Sequence, residues 1–334
     1  DQLLVLPGKR GNDGQQFLML AIDPLQLDPA TAQAVDNPIY RGKRLLYPLL
    51  TWLAGLGQPQ LILWTLGLVN VACLAGAAWL VAVWAQLEQR NPRWGLAVLA
   101  LPGYWITLTL STADLLATTL LLAAAVAWRT QRQGWLMGAL SAAVLTRETA
   151  LLAWAATGLT GLWERRWLLL LPLILVPLPL LGLIAWLKAR FAATSDALLA
   201  SLHFGPPGLG IEHKVNQLLG LRALPGPPLS GLERSFDGLC LLFWLATLLV
   251  LLVTAVRGWG GRWLAVTAAL YLLPALCTST QILARFPDYT RVWIDLSSLA
   301  LLALLSARSR WLPWWLGSGA ALTVGYGLGF GWLT

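Results

Sequence analysis

The tripeptide Asn12-Asp13-Gly14 sets a carboxylate beside a glycine, and the cluster Tyr40-Arg41-Gly42-Lys43-Arg44 follows a short way along the chain. A carboxylate on a tight turn has little steric screening, and once ionised it can take a proton from a hydroxyl. Guanidinium groups bind phosphate oxygens in pairs. The order therefore places a proton acceptor and a phosphate-sized positive patch just ahead of the first long apolar stretch. That combination points to chemistry on a lipid-linked substrate. Asn-Asp-Gly is also an ordinary loop turn, and a basic cluster at an interface also anchors a chain to anionic headgroups. Both readings stay open at this level.

Further polar residues stand out against an apolar background. Asp23 precedes Pro24, where a helix should end, and reads either as a second site acid or as a polar helix terminus. Asp114 follows Ser111 and Thr112 and reads as a helix cap or a site acid. Arg147 and Glu148 sit together in a long apolar run, where a lining role is favoured over a structural pair. Arg285, Asp288, Tyr289 and Arg291 flank the start of a late apolar segment and are candidates against a background of interfacial snorkelling. His203 and His213 lack metal-ligand spacing. Cys73, Cys240 and Cys277 lie in apolar runs as buried small side chains, with neither a disulfide framework nor a metal-spaced set.

The elements that must position these residues are membrane elements. Of 334 residues, 57% are hydrophobic and 11% charged, against about 25% charged in soluble domains. Apolar runs near helix-spanning length predict an all-α polytopic protein rather than a barrel. The 20 Trp residues, many at run ends, fit interfacial belts. A net charge of +8 raises nucleic acid as a partner. The basic residues form no continuous face, however, so they read as topology signals and nucleic acid is excluded.

Long spans are predicted at Leu61–Ala85, Trp94–Leu110, Leu115–Trp128, Trp167–Leu187, Phe236–Val256, Trp263–Ile282, Val292–Ala307 and Leu312–Leu333. Basic loops lie between them at Arg90/Arg93, Arg129/Arg132, Arg165/Arg166, Arg257/Arg262 and Arg308/Arg310, all of which belong on the cytoplasmic side. Arg132 and Arg165 can share a side only if Gly134–Trp163 enters and returns. As one helix that segment would be about 45 Å long, against a hydrocarbon core of about 30 Å. A re-entrant hairpin with its tip at Thr146-Arg147-Glu148-Thr149 is predicted instead. Leu45–Gly57 is too short to span and reads as interfacial. A short helix is expected around Gln15–Ile22. The Pro/Gly-rich stretch from Phe204 to Pro228 is expected to be partly mobile. These assignments collect residues 1–60, the Ser111–Asp114 turn, the Arg147 tip, the loop 188–235 and Arg285–Arg291 on the non-cytoplasmic face.

The segments Asp13-Gly14-Gln15-Gln16-Phe17, Ala21-Ile22-Asp23-Pro24 and Tyr40-Arg41-Gly42-Lys43-Arg44-Leu45-Leu46-Tyr47-Pro48-Leu49 resemble a bacterial family associated with cell-surface glycopolymer formation, of the GT-C class of membrane glycosyltransferases. Leu145-Thr146-Arg147-Glu148-Thr149 and Asp288-Tyr289-Thr290-Arg291-Val292 are similar to its later motifs, with a more distant likeness to GPI mannosyltransferase 2. The resemblance implies a GT-C-like helical bundle and an inverting glycosyltransferase with a polyprenyl-phosphate sugar donor. It places an essential acid in the first non-cytoplasmic loop, which Asp13 matches. It makes Arg41, Arg44, Arg147 and Arg291 the donor phosphate ligands, with Asp23, Asp114, Glu148 and Tyr289 lining the acceptor side. Relatives usually carry an aromatic where Asn12 stands. They also carry a membrane helix before this loop, and in a chain that begins at Asp1 such a helix is expected to be missing.

The expectation is thus one transmembrane domain over 1–334, with a first non-cytoplasmic loop of short helices over 1–60 and a long one over 188–235. The setting is a bacterial inner membrane with the site facing the periplasm or exterior. Partners are the lipid-linked donor, a glycan, lipid or protein acceptor, and membrane lipids. No metal is required, although clustered carboxylates leave Mg²⁺ or Mn²⁺ open. The alternatives are a lipid-linked glycan flippase or transporter, and a non-catalytic scaffold of a glycan assembly complex.

Overall fold

The computed structural model describes residues 13–192, 203–221 and 230–330. Asn12, the first twelve residues of the 1–60 loop and Pro225–Pro228 of the long loop lie outside the described residues. The chain is all-α: among the described residues there is no strand, and one isolated antiparallel bridge pairs Phe204 with Thr278.

Three stretches, Pro59–Leu87, Trp167–Arg190 and Gly231–Arg257, are long and apolar enough to cross a membrane. A fourth is added if Phe286–Val292 and Ile294–Ser306, bent by 56° at Trp293, count as one. This corrects the expected set of eight long spans. Trp94–Leu110 is not one span: a 3₁₀ segment Pro92–Ala100 and a helix Pro102–Leu110 meet at Leu101, whose backbone is extended. The cause is local, because a residue before proline avoids the helical region. Trp263–Ile282 also breaks, into Arg262–Leu276 and Thr280–Leu283.

Several short helices show why the sequence forms them. Asn37 caps Pro38–Gly42 by accepting from Tyr40 N at 2.8 Å, with Pro38 at the first position, where its missing N–H costs nothing. The helix Leu46–Ala54 is nine residues long, far below the ~20 needed to span. Its Tyr47 hydroxyl donates to Leu66 O at 3.0 Å and accepts from Asn70 Nδ2 at 3.1 Å. Asn70 also donates to Thr112 O at 3.3 Å, which fixes the turn before Asp114.

The helix Gln133–Thr146 stops at Arg147, whose backbone is extended, and the chain resumes as a 3₁₀ turn Glu148–Ala150 and the helix Leu151–Trp163. The feet of the two helices lie side by side, since Arg166 hydrogen-bonds Gln131. Arg129 pairs with Glu88 at 3.2 Å, and Arg262 reaches Glu164 at 3.8 Å. Trp84 Nε1 donates to Ser306 Oγ at 3.1 Å. These contacts gather the basic loops at one end of the bundle, and the Arg147 break lies at the other.

The core runs between the two ends. Every residue from Ile294 to Leu305 is buried, as expected of a helix apolar on all sides. The helix Pro102–Leu110 packs close to the Arg291-bearing turn. A Cβ on Gly103 would stand 2.7 Å from Thr290 O, so only glycine permits this approach.

Candidate functional site

The polar groups of interest sit at helix ends and breaks, away from the basic end. Asp13 opens the first helix, Asp13–Ile22, where the amide ends favour a negative charge. Asp114 opens Asp114–Arg129, and its Oδ2 accepts from Thr112 Oγ1 at 2.7 Å. Arg41 lies in Pro38–Gly42, Arg147 is the break residue, and Arg291 is in the last turn of Phe286–Val292.

They form one ion network. Arg41 grips Asp36 with two parallel bonds, Nε to Oδ1 at 2.8 Å and Nη2 to Oδ2 at 2.7 Å. Its remaining nitrogen, Nη1, is 2.8 Å from Asp13 Oδ1. The other oxygen of Asp13 is 2.7 Å from Arg291 Nη2. Arg291 also reaches Asp288 at 3.4 Å and Asp114 at 4.0 Å. Arg147 pairs with Asp114 at 3.1 Å and donates to Val292 O at 2.6 Å. Arg44 approaches Glu148 at 3.5 Å, donates to the Tyr40 hydroxyl at 2.8 Å and lies over the Tyr40 ring.

The network lines a cavity of about 440 Å³. Arg41, Lys43, Arg44, Arg147 and Arg291 face it, balanced by Asp13, Asp36, Asp114, Glu148 and Asp288. Phe204, Ile282, Val292 and Trp293 supply an apolar wall, and His203 stacks on Tyr40 at 5.4 Å between centroids. Despite the pairing, the Nε–H groups of Arg44, Arg147 and Arg291 are buried without a hydrogen-bond partner, as is Thr149 Oγ1. Buried donors left unmade are costly. These Nε–H groups lie beneath the cavity wall rather than on it, with Arg44 Nε 3.5 Å from Glu148 and Arg291 Nε 4.0 Å from Asp114.

Burial works against the charge on Asp13, but Arg291, Arg41 and Arg44 outweigh it and hold its carboxyl well below the usual carboxylate range. Burial likewise opposes ionisation of Asp36, and the hydrogen bonds and charge of Arg41 more than compensate, lowering its value. Asp13 keeps 28% of its side chain exposed to the cavity, so it can meet a ligand. Among the described residues no group of three or more His, Cys, Asp or Glu is placed to hold a metal ion. The carboxylates face guanidinium groups instead.

Of the residues expected from sequence, Asp13, Arg41, Arg44, Asp114, Arg147, Glu148 and Arg291 come together in this cavity. Two do not. Asp23 ties a turn by accepting from Asp28 N at 2.8 Å, in line with its alternative reading as a helix terminus. Tyr289 is fully buried behind the wall, its hydroxyl donating to Asp237 Oδ1 at 2.8 Å.

Two features escaped the sequence reading. Asp36, one step before the capping Asn37-Pro38, carried a usable signal: an acid five residues ahead of an arginine on a short helix. Lys214, Asp237 and Tyr289 form a buried cluster, with Lys214 Nζ bonded to Asp237, to Ala284 O at 2.9 Å and to Gln217 Oε1 at 2.9 Å. Nothing in the local sequence of a Pro/Gly-rich loop announces it.

The chain matches no protein-family model, no characterised protein and no solved structure, so the site is read from its own geometry.

Proposed function

We propose that the protein is an inverting glycosyltransferase of the membrane. It would move a sugar from a polyprenyl-phosphate donor to an acceptor hydroxyl of a glycan, lipid or protein during cell-surface glycan assembly. In this reading the basic end lies in the cytoplasm of a bacterial inner membrane, Gln133–Trp163 is a re-entrant hairpin, and the cavity opens to the periplasm or exterior. The observation that carries it is Asp13: a cavity-facing carboxylate held between Arg41 and Arg291, in a cavity lined also by Lys43, Arg44 and Arg147.

The chemistry balances with these groups alone. The acceptor oxygen bonds to the anomeric carbon on the face opposite the phosphate, and the carbon–oxygen bond to phosphate breaks. The hydroxyl proton passes to Asp13 and then to solvent. The donor is a phosphodiester with one negative charge, whereas the departing lipid monophosphate acquires a second. The cavity is near charge balance before the donor enters, so the guanidinium groups lining it act most strongly on the charge that develops as the bond breaks. Asp114 and Glu148 keep Arg147 and Arg44 in place.

Transport would need a polar path onward to the basic end. Beyond Asp295, which accepts from Thr118, the central helix continues as Leu299–Leu305 against Leu121, Leu122 and Trp84, all buried and apolar. This favours transfer over passage. The test is sugar transfer from synthetic polyprenyl-phosphate sugars in detergent, comparing wild type with Asp13→Asn. The variant should lose at least about a hundredfold in rate, the lower range for a general base, while still giving a cooperative melting transition. Equal transfer by both would remove Asp13 as base.

A further inference from the structure

The bidentate grip of Asp36 on Arg41 leaves a specific remainder. A guanidinium carries five N–H donors on three nitrogens, and Asp36 takes the Nε/Nη2 edge at 2.8 and 2.7 Å. Nη1 is left over from that grip, and Asp13 takes it at 2.8 Å. Asp36 is itself held to the first helix, because its backbone N–H donates to Gln16 Oε1 at 3.0 Å, and Gln16 is buried one turn after Asp13. Asp36 is thus a fixed anchor, whereas Asp13, reaching Arg41 and Arg291 through one bond each, is a partner that can be displaced.

A phosphate entering the cavity offers several charged oxygens to the same nitrogens. It can outcompete Asp13, which makes one bond to each arginine, more readily than Asp36, which makes two parallel bonds to one. We propose that Asp36 is a positioning residue that keeps Arg41 shared between base and donor, and that a lipid phosphate displaces Asp13 from Arg41 and Arg291, freeing it as base only once the donor is bound. The inference rests on the donor reading above. Before displacement, Asp13 is held ionised but weakly basic by its two arginines. After displacement the arginines serve the phosphate, and the carboxylate regains its affinity for a proton next to the acceptor hydroxyl. Donor therefore precedes acceptor, and water in the empty cavity meets a base that is tied down.

The experiment measures binding of a sugar-free polyprenyl monophosphate to purified protein in detergent, followed by tryptophan fluorescence, since Trp293 lines the cavity. Asp13→Asn and Asp36→Asn each remove one negative charge from the same cavity, so charge alone would make both bind more tightly. The proposed geometry gives opposite signs. Asp13→Asn tightens binding about tenfold, the equivalent of one modest ion pair, because the competing carboxylate is gone. Asp36→Asn weakens it by a similar factor, because Arg41 loses its anchor and closes onto Asp13. Asp36→Glu, with charge kept and geometry changed, also weakens binding and guards against misfolding of the Asn variant.

Tightening by both Asn variants would overturn the role of Asp36. Unchanged binding by Asp13→Asn would overturn the displacement. Absence of binding by wild type would overturn the donor reading and this inference together.

Discussion

Arg291 Nη2 stands 2.7 Å from Asp13 Oδ2, so the first described helix and a late one, at nearly opposite ends of the chain, close a single ion pair. The same guanidinium lies 3.4 Å from Asp288 and 4.0 Å from Asp114. One side chain thus ties together three elements that bring acids to the cavity. Its helix is in turn seated by the close approach at Gly103.

Arg291→Lys keeps the charge but replaces a planar fork with a point charge on a flexible stem. It cannot keep one nitrogen between Asp13 and Asp288 and a second beside Asp114 at the same time. We expect kcat for sugar transfer to fall roughly 10- to 100-fold, a loss of about 1.4–2.7 kcal/mol of transition-state stabilisation. The effect should fall more on kcat than on KM, since the missing donor acts on charge that develops as the bond breaks. Steady-state kinetics with a polyprenyl-phosphate sugar checks this, and a pure KM effect would count against the assignment.

Some of this arrangement was legible in the sequence for a physical reason. Arg147 and Glu148 in an apolar run cannot face lipid, so a break at that point, with both feet at one end, follows from solvation cost. The structure has that break and the Gln131–Arg166 contact at the feet. The number of long helices was not legible, because hydropathy reports that a segment is buried, not that it is continuous. Leu101 before Pro102 breaks an apolar run without changing its hydropathy. Arg41, Arg44 and Arg291 could be singled out as cations, but their partners could not. That Asp36 rather than Asp23 holds Arg41 depends on how two short helices fold back on Gln16.

The Lys214–Asp237 pair should act as a buried latch between the helix Leu209–Leu218 and the helix Gly231–Arg257. Lys214 is fully buried. Burial lowers its proton affinity, and the charge of Asp237 only partly restores it. Removing one member leaves the other charge buried and unpaired, which typically costs 3–5 kcal/mol. Lys214→Met and Asp237→Leu should each lower the melting temperature sharply, and the double variant should be more stable than either single one. Thermal unfolding of the four proteins in one detergent measures it, and additive losses would show that the pair is not coupled.

The acids of the first loop set the pH dependence of its stability. Asp13 and Asp36 both bind protons less readily when folded than the ~3.9 of a free aspartate. Folding is therefore favoured above that value, and the advantage is lost as the pH falls toward the folded-state values. The melting temperature should be flat from about pH 5 to pH 8 and decline below about pH 4. Asp13→Asn should flatten that decline, because one linked proton disappears. A melting temperature that instead rises on acidification would contradict the sign of both shifts.

Sidedness is open to direct test along one helix. Pro59–Leu87 runs from the cavity end, just after Gln58, to the basic end, where Gln86 is one residue from its close. At 1.5 Å per residue the two glutamines are about 40 Å apart, more than the thickness of a hydrocarbon core. Both are exposed, while Cys73 and Cys240 are buried and Cys277 is partly so. In a background with Cys277 replaced by alanine, Gln58→Cys should react with a membrane-impermeant maleimide added outside intact cells. Gln86→Cys should react only after the membrane is permeabilised. The five basic loops sit with Gln86, so this pattern is what their charge requires. The reverse pattern would place the cavity in the cytoplasm and overturn the proposed sidedness.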